Sequence, residues 1–201
     1  GLSVLDTGSD FTFKGQMVIL ILIFIGGLNM LTIATFIGSL YHKTGSLHAA
    51  GVIRGFLDSD QTANLHAILR NVIFYAVVIQ TSGVLMVFFS WGNEHTFNGF
   101  SDKLYHSIFH AISAFNNAGF SLITDGFYNE SLRYNYPLHL SVSLLIIVGG
   151  IGFLVLQDMF AINNRMERKL QPWKKLLVNT RLVLGVTLIL LIGGTVLFLI
   201  L

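Results

Sequence analysis

Four stretches of this chain run without a charged residue: 15–41, 71–93, about 137–157 and 182–201. A helix needs about 20 apolar residues to cross roughly 30 Å of hydrocarbon, and each stretch is that long. Apolarity continues round the whole helix instead of forming one stripe, so each stretch reads as a membrane span and not as the amphipathic helix of a soluble core. A fifth apolar segment, 100–121, behaves differently. Its middle, KLYHSIFHAISAF, is too apolar for a free loop and too short to cross. Leu104, Ile108, Ala111, Ile112 and Phe115 recur at helical spacing, Ser101 or Asp102 can cap the start, and Asn116-Asn117-Ala118-Gly119 supplies turn formers at the end. The pattern predicts a re-entrant helix over about 102–116, roughly 21 Å long, which reaches part-way into the bilayer.

Non-helical backbone at membrane depth is tolerated only inside protein or against a water-filled cavity, so the stretch 117–121 (NAGFS) is expected to line one. A monovalent cation there needs oxygen dipoles to replace its hydration shell without full charges that would trap it. Backbone carbonyls serve, provided a glycine lets the chain turn them toward the axis. The negative end of the preceding helix dipole acts at the same place. The rival reading is an ordinary helix C-cap with Gly119 in a left-handed conformation.

Composition supports the membrane reading: 53% of the 201 residues are hydrophobic and 11% charged, far from the make-up of a soluble domain. The chain contains no cysteine, which excludes disulfides, thiol nucleophiles and Cys-ligated metals. Four spans place 42–70 and 158–181 on one side, with Lys43, Arg54, Arg70, Arg165, Arg168, Lys169, Lys174, Lys175 and Arg181 against Asp58, Asp60, Asp158 and Glu167. The positive-inside rule makes that side cytoplasmic. The other side carries Lys14, Lys103 and Arg133 against Asp6, Asp10, Glu94, Asp102, Asp125 and Glu130, an acidic excess that concentrates cations. Trp91, Tyr134 and Tyr136 are expected in an outer aromatic belt, Tyr41 and Trp173 in an inner one. The basic residues form no extended face, so nucleic acid is not an expected partner. A start at Gly1 and an end inside an apolar run read as a fragment of a longer protein.

An internal repeat sharpens the picture. GLSVLDTGSDF at the start aligns with GFSLITDGFYN from Gly119, and each is followed by a span with a central glycine pair, Gly26-Gly27 and Gly149-Gly150. RNVIFYAVVIQTSG from Arg70 aligns likewise with RLVLGVTLILLIGG from Arg181, placing Gly83 on Gly194. The unit is span, re-entrant loop, span, and Gly1 corresponds to Gly119. The expected fold is therefore all-α and integral to the membrane, with repeated units around an ion pore. Residues 1–41 would hold the filter strand and inner helix of a first unit, 42–70 a cytoplasmic linker, 71–163 a complete second unit, and 164–201 a linker and the first helix of a third. Repeated re-entrant loops give one chain a pore with quasi-symmetric coordination.

FHAISAFNNAGFS, VGGIGF, the opening GLSVLDTGSDF and GQMVILILIFIGG together resemble the potassium uptake subunits of the Trk/Ktr/HKT superfamily, most closely the Ktr-type membrane subunit, over nearly the whole chain. The resemblance implies a multi-pass protein of the cell (inner or plasma) membrane, with four units per polypeptide and one glycine-centred filter strand from each. It makes Gly1 the filter glycine of the first unit and Asn117, Ala118, Gly119, Phe120 and Ser121 the strand of the second. K⁺ is then the transported ion, held by carbonyls near Gly1 and Gly119, with Na⁺ as a coupling or regulatory ion and no tightly bound cofactor. The implied partners are lipid, a second copy in a homodimer, and a cytosolic nucleotide-binding regulatory ring. Glycine at both visible filter positions speaks against a sodium-selective relative, since plant members with a first-unit serine tend to prefer sodium. The run GGLNM departs from the GGIG-like run of the family and makes the first unit's inner-helix packing the less secure of the two. A non-conducting membrane assembly subunit, with NNAGFS as a capped loop, is the alternative from another class.

Other conspicuous residues have plainer readings. His106 and His110 have the spacing of two zinc ligands on a helix but lack a HExxH pattern, and hydrogen bonding within the pore-helix packing accounts for them better. GGIG lacks the preceding strand of a dinucleotide site, so close helix packing is expected at the glycine pairs. Asp158 is expected to pair with Arg165 at the interface. No nucleophile, base and orienting acid come together, so no enzyme activity is expected.

Overall fold

The computed structural model describes residues 5–27, 65–92, 97–160 and 176–200. Gly1, residues 28–64 with the linker and Tyr41, and Arg165 and Trp173 lie outside them. The described residues contain helices and turns without a strand: α1 (Phe13–Gly27), α2 (Leu65–Ser90), α3 (Phe100–Phe115), α4 (Tyr136–Ile151), α5 (Phe153–Phe160) and α6 (Val178–Ile200), with a 3-10 turn at Gly126–Tyr128. Two bodies divide the chain after Gly150.

Among the described residues two helices are long and apolar enough to cross a bilayer: α2, through its segment Ile73–Ser90, and α6. Their 26 and 23 residues make them about 39 and 35 Å long. Both begin before the apolar runs do, at Leu65 and Val178, and take in Arg70 and Arg181 near their starts. A helix carries on past the hydrocarbon edge, and a basic residue there reaches the headgroups, so charge marks the membrane boundary and not the helix boundary. The stretch 137–157 is not one helix. Gly152 takes φ +85°, which an α-helix does not use, and divides α4 from α5.

In the larger body α3 is the central element, close to the predicted 102–116. The expected caps, Ser101 and Asp102, do not hold its N-terminus. Gly99, at φ +112°, is the N-cap, and Asp102 reaches back to accept the Asn98 N–H at 2.9 Å. One side of α3 packs on α2 and α4 through Ala111, Ala114, Val87, Leu138, Val142 and Leu145. The other meets α1 through Phe109, Leu20 and Leu122. Asn135 caps α4 by accepting the Leu138 N–H at 3.2 Å, and its Nδ2 donates to the Ser90 carbonyl, tying the ends of α2 and α4 together. Trp91 is not in an aromatic belt: it is 5% exposed and its Nε1 donates to Ser107 Oγ at 2.8 Å, because the end of α2 turns it into the core against α3. Tyr134 and Tyr136 are exposed, as a belt requires.

In the smaller body α5 packs on α6. Asp158 is buried, and its Oδ2 accepts the Leu177 N–H at 3.1 Å, joining the end of α5 to the start of α6.

Candidate functional site: the end of the pore helix and the strand beyond it

The C-terminus of α3 is closed by a complete set of backbone bonds. Asn117 is left-handed at φ +53°, its N–H donates to the Ala114 carbonyl at 3.0 Å, and the Ala118 N–H donates to the Ser113 carbonyl at 2.9 Å. This is a Schellman cap with asparagine in the position glycine usually takes. The helix is therefore terminated by Asn117, and not by Gly119 as the rival cap reading has it. Gly119 nevertheless holds φ +75°. Left-handed backbone recurs two residues after the helix has ended, with Ala118 between at negative φ.

Two side chains of α3 tie the strand back. Ser113 Oγ donates to the Phe120 carbonyl at 2.7 Å, so that carbonyl is engaged toward the helix. His110 Nε2 lies 3.0 Å from Ser121 Oγ, and Ser121 Oγ accepts the Ile123 N–H at 3.0 Å. His110 Nδ1 is 2.7 Å from the His106 carbonyl, which only accepts, so Nδ1 carries the proton. Ser121 Oγ also lies 3.2 Å from the Ile123 carbonyl, to which it donates, so the hydroxyl is held between the His110 ring and the backbone of residue 123. The His106 and His110 rings stack at 6.0 Å, and among the described residues no group of three or more His, Cys, Asp or Glu is placed to hold a metal ion. A cavity of about 370 Å³ lies among His110, Ser113, Gly119, Ser121, Phe127 and Val142.

Glycines of α1 and α4 meet this same helix end. A Cβ at Gly149 would strike the Phe115 carbonyl, and one at Gly27 would strike the Asn116 side chain. The close packing expected at the glycine pairs is thus found at Gly27 and Gly149, and a Cβ at Gly150 would make only ordinary contact with Asn117. At Gly26, and at both members of the pair Gly193-Gly194, nothing lies within 4 Å of such a Cβ among the described residues.

The structure places Asn117 and Ala118 in the cap of α3 and Phe120 and Ser121 against its Ser113 and His110, with Gly119 between them, while Gly1 lies outside the described residues. Ser113 was not singled out from the sequence, although Ser107, His110 and Ser113 form a polar stripe at three-residue spacing in an apolar helix, and all three are buried. Gln16 was missed too. Its Nε2 lies within bonding distance of the Thr7, Gly8 and Phe11 carbonyls, and its Oε1 accepts the Tyr105 hydroxyl at 3.0 Å. His139, ten residues before its glycine pair as Gln16 is before its own, donates from Nε2 to the Leu132 carbonyl at 3.1 Å. Both α1 and α4 thus carry near their starts a polar side chain that pins the preceding loop.

Apolar helices of spanning length, together with a buried helix that ends in irregular backbone, define a multi-pass α-helical membrane protein. The chain belongs to the TrkH cation transport protein family, whose model matches residues 1–201. It is 31% identical to the Ktr system potassium uptake protein B of Vibrio alginolyticus, over 98% of this chain and 41% of that protein. It is 33% identical to the potassium/sodium uptake protein NtpJ of Enterococcus hirae, over 100% of this chain and 42% of the relative. A Ktr system potassium uptake protein B of Bacillus subtilis is 34% identical, over 92% and 40%. The chain spans about two fifths of the length of these relatives, all of them transport proteins.

Proposed function

We propose that this chain forms part of a potassium-uptake protein in which residues 117–121 are one strand of a selectivity filter, with Gly1 as the corresponding glycine of the preceding unit. The observation that carries the reading is the φ of +75° at Gly119, beyond a helix that Asn117 has already capped. A left-handed residue not needed to end the helix has another use, and presenting carbonyls to a cation is the use that fits backbone in an apolar surrounding. The Phe120 carbonyl is held by Ser113, so the coordinating oxygens in this strand are those nearer Gly119. The membrane potential supplies the driving force, about 2.3 kcal/mol per charge per 100 mV.

Sodium enters through the Enterococcus hirae relative, a potassium/sodium uptake protein. Na⁺ is a coupling or regulatory ion in this proposal, and K⁺ uptake that is indifferent to added Na⁺ would remove it. Two relatives are proteins of a Ktr system, and we take this chain to work likewise with other components: a second copy, and a cytosolic nucleotide-binding ring. Light scattering on the purified full-length protein, alone and with the ring, checks both. The basic side is cytoplasmic, so single cysteines at Asn98 and Ser46 label from opposite faces.

The test of the main reading is potassium flux. Full-length protein should restore growth at low potassium to cells lacking other uptake systems. Protein that reaches the membrane without carrying potassium would favour the non-conducting assembly subunit.

A further inference from the structure

Ser113 differs from the other hydroxyl residues of the described spans. Ser90, Ser107, Ser141 and Thr195 each donate to the carbonyl four residues back in their own helix, at 2.6, 2.7, 2.8 and 2.8 Å. That is the usual resort of a hydroxyl in an apolar helix. Ser113 instead reaches out to the Phe120 carbonyl, while its own carbonyl receives the Ala118 N–H. One residue thus holds the strand on both sides of Gly119. One turn earlier, His110 holds Ser121.

Resting on the filter reading above, we propose that Ser113, supported by His110, is a positioning residue that sets the preference for potassium over sodium. It touches no ion. Its hydroxyl keeps the Phe120 oxygen turned toward α3 and keeps the strand from slackening. Without that bond the Phe120 carbonyl is free to swing toward the ion, and the coordination sphere gains an oxygen and loses a tether. A slackened strand lets its oxygen dipoles close in round the smaller ion, so discrimination against sodium falls. His110 has the same effect on the next residue: its Nε2 lies 3.0 Å from Ser121 Oγ, while Nδ1 is held at 2.7 Å by the His106 carbonyl, which fixes the ring against the strand. Ser113 lines the cavity of about 370 Å³, and Thr in its place keeps the hydroxyl donor.

The experiment compares Ser113→Ala, Ser113→Thr and Gly119→Ser in the full-length protein, reading the ratio of potassium to sodium uptake at matched amounts in the membrane. Loss of one hydrogen bond of ordinary strength corresponds to about a three- to tenfold fall in that ratio for Ser113→Ala. Ser113→Thr should restore it. A wild-type ratio in Ser113→Ala, or an equal fall in Ser113→Ala and Ser113→Thr, would overturn the proposal, since the hydroxyl would then be irrelevant or its volume all that counted. If Ser113→Ala fails to reach the membrane, Ser113→Cys carries the same comparison, with nearly the same volume and a much weaker donor. Gly119→Ser separates the two levels of the argument. If it changes the ratio and the Ser113 variants do not, only the positioning role falls. If Gly119→Ser also leaves the ratio untouched, the filter reading falls with it.

Discussion

The glycine pairs Gly26-Gly27 on α1 and Gly149-Gly150 on α4 converge on one helix end, yet they meet it differently. Gly149 lies against the backbone carbonyl of Phe115. Gly27 lies against the side chain of Asn116. A carbonyl of the last helical turn cannot move without unwinding that turn, whereas a side chain can rotate away. The contact of α4 is therefore rigid and the contact of α1 has some give. The tight approach falls on the first glycine of the pair on α4 and on the second on α1, so the two helices share a small-residue site and not a residue-by-residue contact.

The largest effect is expected for Gly149→Ala. The added Cβ displaces backbone, at a cost near the top of the overpacking range, about 3 kcal/mol. Thermal unfolding of the full-length protein in detergent should show a strongly lowered midpoint; a midpoint near wild type would mean that α4 and α3 are not in contact as described.

Gly27→Ala comes next. Asn116 must swing aside and give up the bond from its Nδ2 to the Ile112 carbonyl at 2.9 Å. That loss, offset in part by the better helix propensity of alanine, leaves about 1 kcal/mol of destabilisation. Adding Asn116→Ala to Gly27→Ala should recover most of it in a double-mutant cycle. Purely additive effects would show that the two residues do not meet.

The smallest effect belongs to Gly26→Ala, where nothing lies within 4 Å among the described residues. It should be neutral or stabilising by about 0.5–1 kcal/mol, the ordinary gain of alanine over glycine inside a helix. A loss comparable to that of Gly27→Ala would place another element against α1 at this position.

Much of this was readable in the sequence because membranes simplify it. Charge-free length marked the spans, and the spacing of Leu104, Ile108, Ala111, Ile112 and Phe115 marked α3 to within two residues of its observed ends. The repeat indicated that glycines would pack, but not which member of a pair, since that depends on the rotation of each helix about its axis. The break at Gly152 was hidden because glycine is common in spans and only its φ distinguishes a break from a packing site. Trp91 was misplaced because an aromatic at the end of an apolar run looks the same whether it faces headgroups or, as here, a serine on a neighbouring helix. Hydrogen bonding of His110 within the pore-helix packing was legible, but neither its partner Ser121 nor the tether from Ser113 was, because both depend on residues 120–121 doubling back along α3, a tertiary event with no local signature.

The central claim is that the backbone at Gly119 presents oxygens to potassium, and the potassium-to-sodium uptake ratio of the full-length Gly119→Ser protein, at matched membrane levels, tests it most directly. A side chain at φ +75° costs about 1–2 kcal/mol, and 1.4 kcal/mol is tenfold in an equilibrium. The account predicts a fall of about tenfold in the ratio or in potassium affinity, with insertion intact. Wild-type affinity and ion preference in Gly119→Ser would contradict it and leave Asn117 to Ser121 as a capped loop.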